Sequence, residues 1–308
     1  MSTPDDVSRV SVQPATAPAW VRDAVVAGGG VLSEPGDARA VVWADARDPQ
    51  GLGRLLGENP GIEWVQVPFA GVENFVPIVD GTRTWTCGKG VYAEPVAEHA
   101  LGLALAGMRS IGGYSRRDKW SGPSGRNLLG ARVTILGGGG ITESLLRLLR
   151  PWACHVTVVR RNVQEMEGAD DVVGTANLVD ALAGADLVIL ALSLTPETRG
   201  IIGRPELEVM EKHAWIVNVA RGGHIVTDDL VRALENGDIG GAALDVTDPE
   251  PLPEGHPLWS LPNCIITPHV GNTPEMAVPL LGERIRENVS RWVSGRPLIG
   301  LIDPHAGY

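Results

Sequence analysis

VTILGGGGITESLLRLLRPWACHVTVVRR, Val133–Arg161, decides how this chain is read. A short apolar run (Arg132–Leu136) meets four glycines, then a stretch with helical spacing (Ile141–Trp152), then a second β-branched run (His155–Val159). That order predicts strand, glycine loop, helix, strand. Gly137-x-Gly139 permits a tight turn and close backbone approach to a pyrophosphate. The helix that opens at Gly140, Ile141 and Thr142 offers unpaired N–H groups and the positive end of its dipole to the same anion. The unit therefore predicts a dinucleotide site. Thr142 stands where the usual fingerprint has its third glycine, so a slight separation of helix and strand is expected. Glu143 adds a negative charge that does not help a pyrophosphate. The second strand ends at Arg160-Arg161. An NAD-type site carries an acid there, about 20 residues past the loop, to accept from the ribose 2′-OH. Two guanidinium groups instead suit a 2′-phosphate. NADP(H) is expected in preference to NAD(H), with NAD(H) kept open.

Outward from this unit the pattern repeats. Downstream, strands are expected at Asp186–Leu192, Trp215–Val219, Gly241–Asp245 and Cys264–Thr267. Helices are expected at Pro205–Met210, Asp228–Asn236 (Thr227 as N-cap, Gly237 as its end) and Glu275–Trp292 (Thr273-Pro274 opening it). Upstream, strands are expected at Arg9–Val12, Gly30–Leu32, Ala38–Trp43, Ile62–Val67 and Arg83–Thr86, with helices at Trp20–Ala27 and Gly51–Leu56. Such alternation implies parallel sheets covered by helices, with ligands beyond the carboxyl ends of the strands. Trp43, Pro68–Val72 and Cys87–Lys89 lie at such ends. Ala97–Arg109 is apolar almost all round, as in a buried helix or one packed on another subunit. Ile111–Arg132, with five basic residues among Gly, Ser and Pro, reads as a solvated loop.

With 308 residues the chain has room for two domains. Apolar residues make up 44% and charged residues 20%, which excludes a disordered, collagen-like or coiled-coil chain. A net charge of −11 argues against a nucleic-acid or membrane-surface partner. No apolar stretch is long enough for a bilayer, and Met1–Val10 does not read as a signal peptide. Cys87, Cys154 and Cys264 lie far apart, so reduced thiols and a cytoplasmic location are expected. No spacing of His, Cys and acids suggests a metal site.

Three later segments each place a polar residue after an apolar strand: Arg221, then Asp245 with Glu250, then His269. The segments ALSLTPETRGIIG (191–203), VNVARGGHIVTDDLVRALENGDIGGAALDV (217–246), DPEPLPEGHPLW (248–259) and TPHVGNTPE (267–275) resemble the D-isomer-specific 2-hydroxyacid dehydrogenase family. So do Phe69–Val72 and Val96–Ala100. The resemblance implies an α/β fold of two Rossmann-like or flavodoxin-like doubly wound parallel-sheet domains, with the active site in the cleft between them. It divides the chain into a substrate domain, 1–96 plus 273–308, and a dinucleotide-binding domain, 97–272. It implies a homodimer through the 97–109 helix.

The resemblance also assigns roles. Arg221 holds the carboxylate and 2-oxo group of a small 2-oxo acid. His269 is the acid/base, and Glu250 is the carboxylate that pairs with it. Asp245 faces the nicotinamide carboxamide, with Val219, Ala220 and Gly271 beside it. Ala70, Gly71 and Val72 cradle the substrate carboxylate through backbone N–H groups. Ser193 and Thr198 fall in the run lining the adenosine, where Ser193 replaces a common Pro. Arg160, Arg161 and Trp43 look like the glyoxylate/hydroxypyruvate reductases within the family. Gln66–Phe75 carries only Glu73 as a charge, which disfavours a phosphorylated substrate. His99 and His224 are weaker candidates for a direct role, while His155, His213, His256 and His305 read as structural or exposed. Some corepressors that sense nucleotides resemble the same family and form the rival reading.

Overall fold

The computed structural model describes residues 8–72 and 74–303. Glu73 and His305, which figure in the expectations above, lie outside them. In chain order the elements begin β1 (Arg9–Gln13), α1 (Ala19–Ala27), β2 (Val31–Leu32), β3 (Ala40–Trp43), α2 (Pro49–Glu58), β4 (Trp64–Gln66), β5 (Thr84–Thr86), α3 (Ala93–Met108) and α4 (Ile111–Tyr114). They continue β6 (Arg132–Leu136), α5 (Gly140–Leu149), β7 (His155–Val159), β8 (Asp171–Val173), α6 (Leu178–Leu182), β9 (Leu187–Leu190), α7 (Arg204–Val209), β10 (Trp215–Asn218), α8 (Thr227–Asn236), β11 (Gly241–Leu244), β12 (Cys264–Ile266) and α9 (Pro274–Val293). The chain forms two compact units, Met1–Tyr92 with Thr273–Tyr308, and Ala93–Asn272.

The first unit is a five-stranded sheet, β2-β1-β3-β4-β5, with every pair parallel. Strands buried on both faces need apolar residues throughout. β3, Ala40-Val-Val-Trp43, is buried at all four positions. One face packs on α1 and α9 through Val21, Val25, Leu281, Ile285 and Val289. The other packs on Leu52, Leu56, Val72 and Phe75. Pro49 opens α2, and the Asp48 carboxylate caps it by accepting from the Gly51 N–H at 2.7 Å.

The second unit is a seven-stranded parallel sheet, β12-β11-β10-β9-β6-β7-β8. β6 lies between β9 and β7, so the strand order reverses there and a ligand crevice opens at its carboxyl end. The sheet is covered on one face by α3 and α5 and on the other by α7 and α8. α3 approaches β10 closely at Gly107. A Cβ there would lie 2.2 Å from the Trp215 ring, which explains the smallest residue on a buried face otherwise made of alanines with Leu103 and Met108.

Three local expectations need correction. β8 and α6 were not anticipated, because Asp171-Val-Val173 and Leu178–Leu182 are too short to show a period. Thr227 does not cap α8; it is the first helical residue, and its hydroxyl donates to the Asp248 carbonyl at 2.7 Å. The segment after α3 is not all loop, since Ile111–Tyr114 makes one helical turn.

Gly107→Ala should overpack the contact with Trp215 and cost about 1–3 kcal/mol. A thermal melt lower by several degrees is expected; an unchanged melt would show that α3 can shift without penalty.

Candidate active site

β6 delivers the chain to Gly137, whose φ of +112° is open only to glycine. A Cβ at Gly137 would lie 2.3 Å from the Ala191 carbonyl at the end of β9. The glycine loop therefore sits tightly in the switch point. At Gly139 an added Cβ would meet nothing within 4 Å, so the space before the α5 N-terminus is open. Ten-residue α5 begins at Gly140 with no side-chain cap, leaving its first N–H groups for an anion. These residues fit the pyrophosphate of a dinucleotide. Thr142 does not force helix and strand apart. It is fully buried, and its hydroxyl donates to the Gly137 carbonyl at 2.9 Å, closing the loop that a glycine would leave looser.

Arg160 lies over the glycine loop: a Cβ on Gly138 would stand 2.7 Å from its Nε. Arg161, the next residue, is exposed. Across the crevice, the Thr198 hydroxyl donates to the Ser193 carbonyl at 2.7 Å and accepts from the Thr195 N–H at 2.8 Å, which fixes the Ser193–Thr198 turn.

The carboxyl ends of β10, β11 and β12 carry the reactive groups. β10 ends at Asn218, and Val219 and Ala220 are buried beyond it. The Asn218 side chain grips the turn twice, accepting from the Ala220 N–H at 3.0 Å and donating to the Arg221 carbonyl at 2.9 Å. Gly222 must be glycine, because a Cβ would fall 1.9 Å from the Thr247 carbonyl. Arg221 is thereby held at the exit of β10, and its Nη1 donates to the Ala220 carbonyl at 2.8 Å.

His269 follows β12. Its φ is +54°, the left-handed region that costs a non-glycine residue about 1 kcal/mol or more. Its Nδ1 lies 2.7 Å from Glu250 Oε1. The carboxylate accepts from Nδ1–H, which leaves Nε2 for a reacting group. Both side chains are near half exposed, as a pair serving a ligand must be.

Asp245, at the end of β11, is 3% exposed. Its carboxylate accepts from Thr267 Oγ1 at 2.6 Å and from the N–H groups of Val270 and Gly271, each at 2.9 Å. His99 Nε2, from α3, lies 3.2 Å from Asp245 and 3.0 Å from Thr267 Oγ1. Burial alone would raise the pKa of Asp245. The hydrogen bonds from His99, Thr267 and the two N–H groups outweigh it and hold the value down at about 2. Asp245 thus braces the His269 loop, a role its sequence position alone did not show.

In the other unit, Val72 is buried, Ala70 and Gly71 are part-exposed, and Phe69 is exposed. Gly88 N–H donates to the Phe69 carbonyl at 3.0 Å, and the Tyr92 hydroxyl to the Pro68 carbonyl at 3.3 Å. Among the described residues, the N–H groups of Ala70, Gly71 and Val72 donate to no protein acceptor. Trp43, expected at the substrate, is instead core: it is 4% exposed, clusters with Val72 and Phe75, and donates its indole N–H to the Asp45 carbonyl.

A family model, the NAD-binding domain of D-isomer specific 2-hydroxyacid dehydrogenases, matches residues 101–271. The chain belongs to that family. It is 31% identical over 295 residues to glyoxylate/hydroxypyruvate reductase A of Serratia proteamaculans, covering 89% of this chain and 90% of the relative. A D-isomer specific 2-hydroxyacid dehydrogenase of Xanthobacter autotrophicus Py2, solved with NADPH and MES, superposes with a TM-score of 0.84. It is 26% identical and covers 97% of this chain and 99% of that one. An NADPH-dependent glyoxylate/hydroxypyruvate reductase of Sinorhizobium meliloti, solved with NADP and sulfate, gives a TM-score of 0.80. It is 25% identical and also covers 97% and 99%. The dehydrogenase is an NAD(P)-dependent oxidoreductase, related to the glyoxylate reductases.

The remaining histidines divide plainly. His155 and His213 lie 2.8 and 2.6 Å from Asp171 and Asp186 at the amino edge of the sheet, and His256 Nδ1 accepts from the Leu258 N–H. Among the described residues no group of three or more His, Cys, Asp or Glu is placed to hold a metal ion, and no helix is long and apolar enough to cross a membrane. Asn218 was missed because an Asn inside an apolar strand carries no periodic signal; only its position one turn before Arg221 hinted at it.

Because the pKa of Asp245 is depressed when folded, its stabilisation is complete above its unfolded value near 3.8 and is lost as pH falls through about 2. The shift corresponds to roughly 2 kcal/mol. Asp245→Asn should lower the melting temperature at pH 7 and flatten its fall between pH 4 and 2. Parallel acid-melting curves for the two proteins would refute the brace.

Proposed function

We propose that this dehydrogenase reduces a small unphosphorylated 2-oxo acid of the glyoxylate/hydroxypyruvate type, with NADPH preferred over NADH. The observation that carries the chemistry is the 2.7 Å contact between His269 Nδ1 and Glu250. It fixes the ring and its tautomer, so that Nε2 can give a proton to the substrate carbonyl oxygen as that oxygen becomes an alkoxide. A bound nicotinamide supplies the hydride; everything else falls to this chain's residues. The Arg221 guanidinium pairs with the substrate carboxylate and 2-oxo oxygen through its planar fork. The N–H groups of Ala70, Gly71 and Val72, which have no protein acceptor, suit the same carboxylate. Trp43 backs that turn from within the core.

The cofactor rests on Gly137, Gly139 and Gly140 with Ile141 and Thr142 at the pyrophosphate. Ser193 and Thr198 line the adenosine, and Val219, Ala220, Asp245 and Gly271 line the nicotinamide. NADPH preference is supported by Arg160, which lies over Gly138, with Arg161 next to it. The Sinorhizobium relative, named as NADPH-dependent, and the Xanthobacter protein, bound to NADPH, support it further. On this reading residues 97–272 bind the dinucleotide, and residues 1–96 with 273–308 bind the substrate. We infer a cytoplasmic enzyme, from its sparse free thiols, and a homodimer through the 97–109 helix. Ile111 and Trp120, both exposed, follow that helix and support the dimer.

Steady-state oxidation of NADPH and NADH with glyoxylate, hydroxypyruvate, pyruvate and phenylpyruvate tests the whole reading. Fast turnover of the small acids with NADPH is expected. Arg221→Ala should lower kcat/KM by roughly 100-fold or more. Arg160→Asp should move the NADPH-to-NADH preference by roughly 10- to 100-fold, the worth of one charge-assisted contact. Nucleotide binding without turnover on any acid would favour the sensor reading instead. A native mass of one chain, by light scattering, would exclude the dimer.

A further inference from the structure

His224 lies three residues past Arg221 and is fully buried. Its Nδ1 stands 3.2 Å from the Arg221 nitrogen and 2.9 Å from the Arg221 carbonyl oxygen, so either neutral tautomer bonds the Arg221 backbone: Nδ1 accepts from the N–H, or Nδ1–H donates to the carbonyl. No other imidazole of the described residues touches the backbone of this turn. On the far side of the ring, the buried Nε2 makes no hydrogen bond of normal geometry, an expensive state for a polar atom. The surrounding backbone fixes His224 as well: its N–H donates to the Arg221 carbonyl, and its carbonyl accepts from Ile202 N–H at 3.0 Å.

A leucine would fill this space without an unsatisfied nitrogen. The imidazole is the costlier choice, and what it provides in return is a side-chain hydrogen bond to the Arg221 backbone. Burial, with Arg221 and Arg199 nearby, lowers its pKa and keeps the ring neutral, against the two backbone contacts that raise it. A neutral ring adds no second positive charge beside Arg221.

We propose that His224 is a positioning residue for the reaction: it aims the Arg221 guanidinium at the substrate by fixing that residue's backbone, with Asn218 holding the same carbonyl from the other side. This rests on the reading of Arg221 as the substrate arginine. His224 itself touches neither substrate nor cofactor in this role.

The test is a double-mutant cycle read on kcat/KM for glyoxylate with NADPH, with NADPH affinity by fluorescence titration and a thermal melt as controls. His224→Leu should lower kcat/KM by roughly 10- to 100-fold, the usual consequence of a displacement near 1 Å. His224→Asn, which keeps an amide able to donate or accept near the Nδ1 position, should recover most of that loss. In an Arg221→Ala background, His224→Leu should change kcat/KM by no more than about twofold, because the group it acts through is gone. NADPH affinity should not move. If His224→Leu loses the same factor with and without Arg221, or if His224→Asn is as impaired as His224→Leu while melting like the wild type, His224 does not act through Arg221. If Arg221→Ala keeps full activity, the substrate arginine itself is misassigned and the present proposal falls with it; that result is distinguishable because it needs no His224 variant. Should His224→Leu fail to fold, His224→Met, which also removes the polar contact, takes its place in both backgrounds.

Discussion

The buried carboxylate of Asp245 is the interaction on which the rest of the site depends. A charge at 3% exposure is costly unless every lone pair is used. Here four donors from β12, the loop behind it and α3 converge on it. The same residue's backbone works in parallel: its N–H donates to Asn218 at the end of β10, and its carbonyl accepts the His269 N–H at 2.8 Å. One residue therefore ties three adjacent strand ends together. That tie offsets the cost of the left-handed backbone at His269, and the left-handed turn is what carries the imidazole to Glu250. Remove the carboxylate and the ring has no reason to stay where Glu250 can hold it.

The doubly wound sheet was legible because its strands are buried on both faces and so read as unbroken apolar runs, as in Leu187-Val-Ile-Leu190. The glycine loop was legible because φ > 0 and close approach admit one residue type. Arg221, Glu250 and His269 could be picked out because each follows such a run at a strand's carboxyl end. What stayed hidden was what connects them. Asp245 looked like a ligand-facing residue, yet its bonds to the His269 loop come from residues 22 to 26 positions on, and that separation exists only once β11 and β12 pair. The contacts of His99 with Asp245 and Thr267 were hidden for the same reason. Trp43 misled in the opposite direction: a large aromatic at a strand end satisfies both a pocket and a core, and its neighbours Val72 and Phe75 make it core.

A chain with net charge −11 that handles an anionic dinucleotide and an anionic acid cannot draw them in from afar. At physiological ionic strength the screening length is about 8 Å, so the acidic surface is largely invisible to a ligand already inside the crevice. What acts there is short-ranged: one guanidinium at the end of β10, one over the glycine loop, and the N–H groups at the start of α5. Short-range contacts of this kind are directional, and direction is where selectivity arises. Association governed by such contacts should depend weakly on salt at the level of encounter. On the reading proposed for Arg160 and Arg221, their contacts set how long each ligand stays, so the positive charge of the site serves recognition rather than steering.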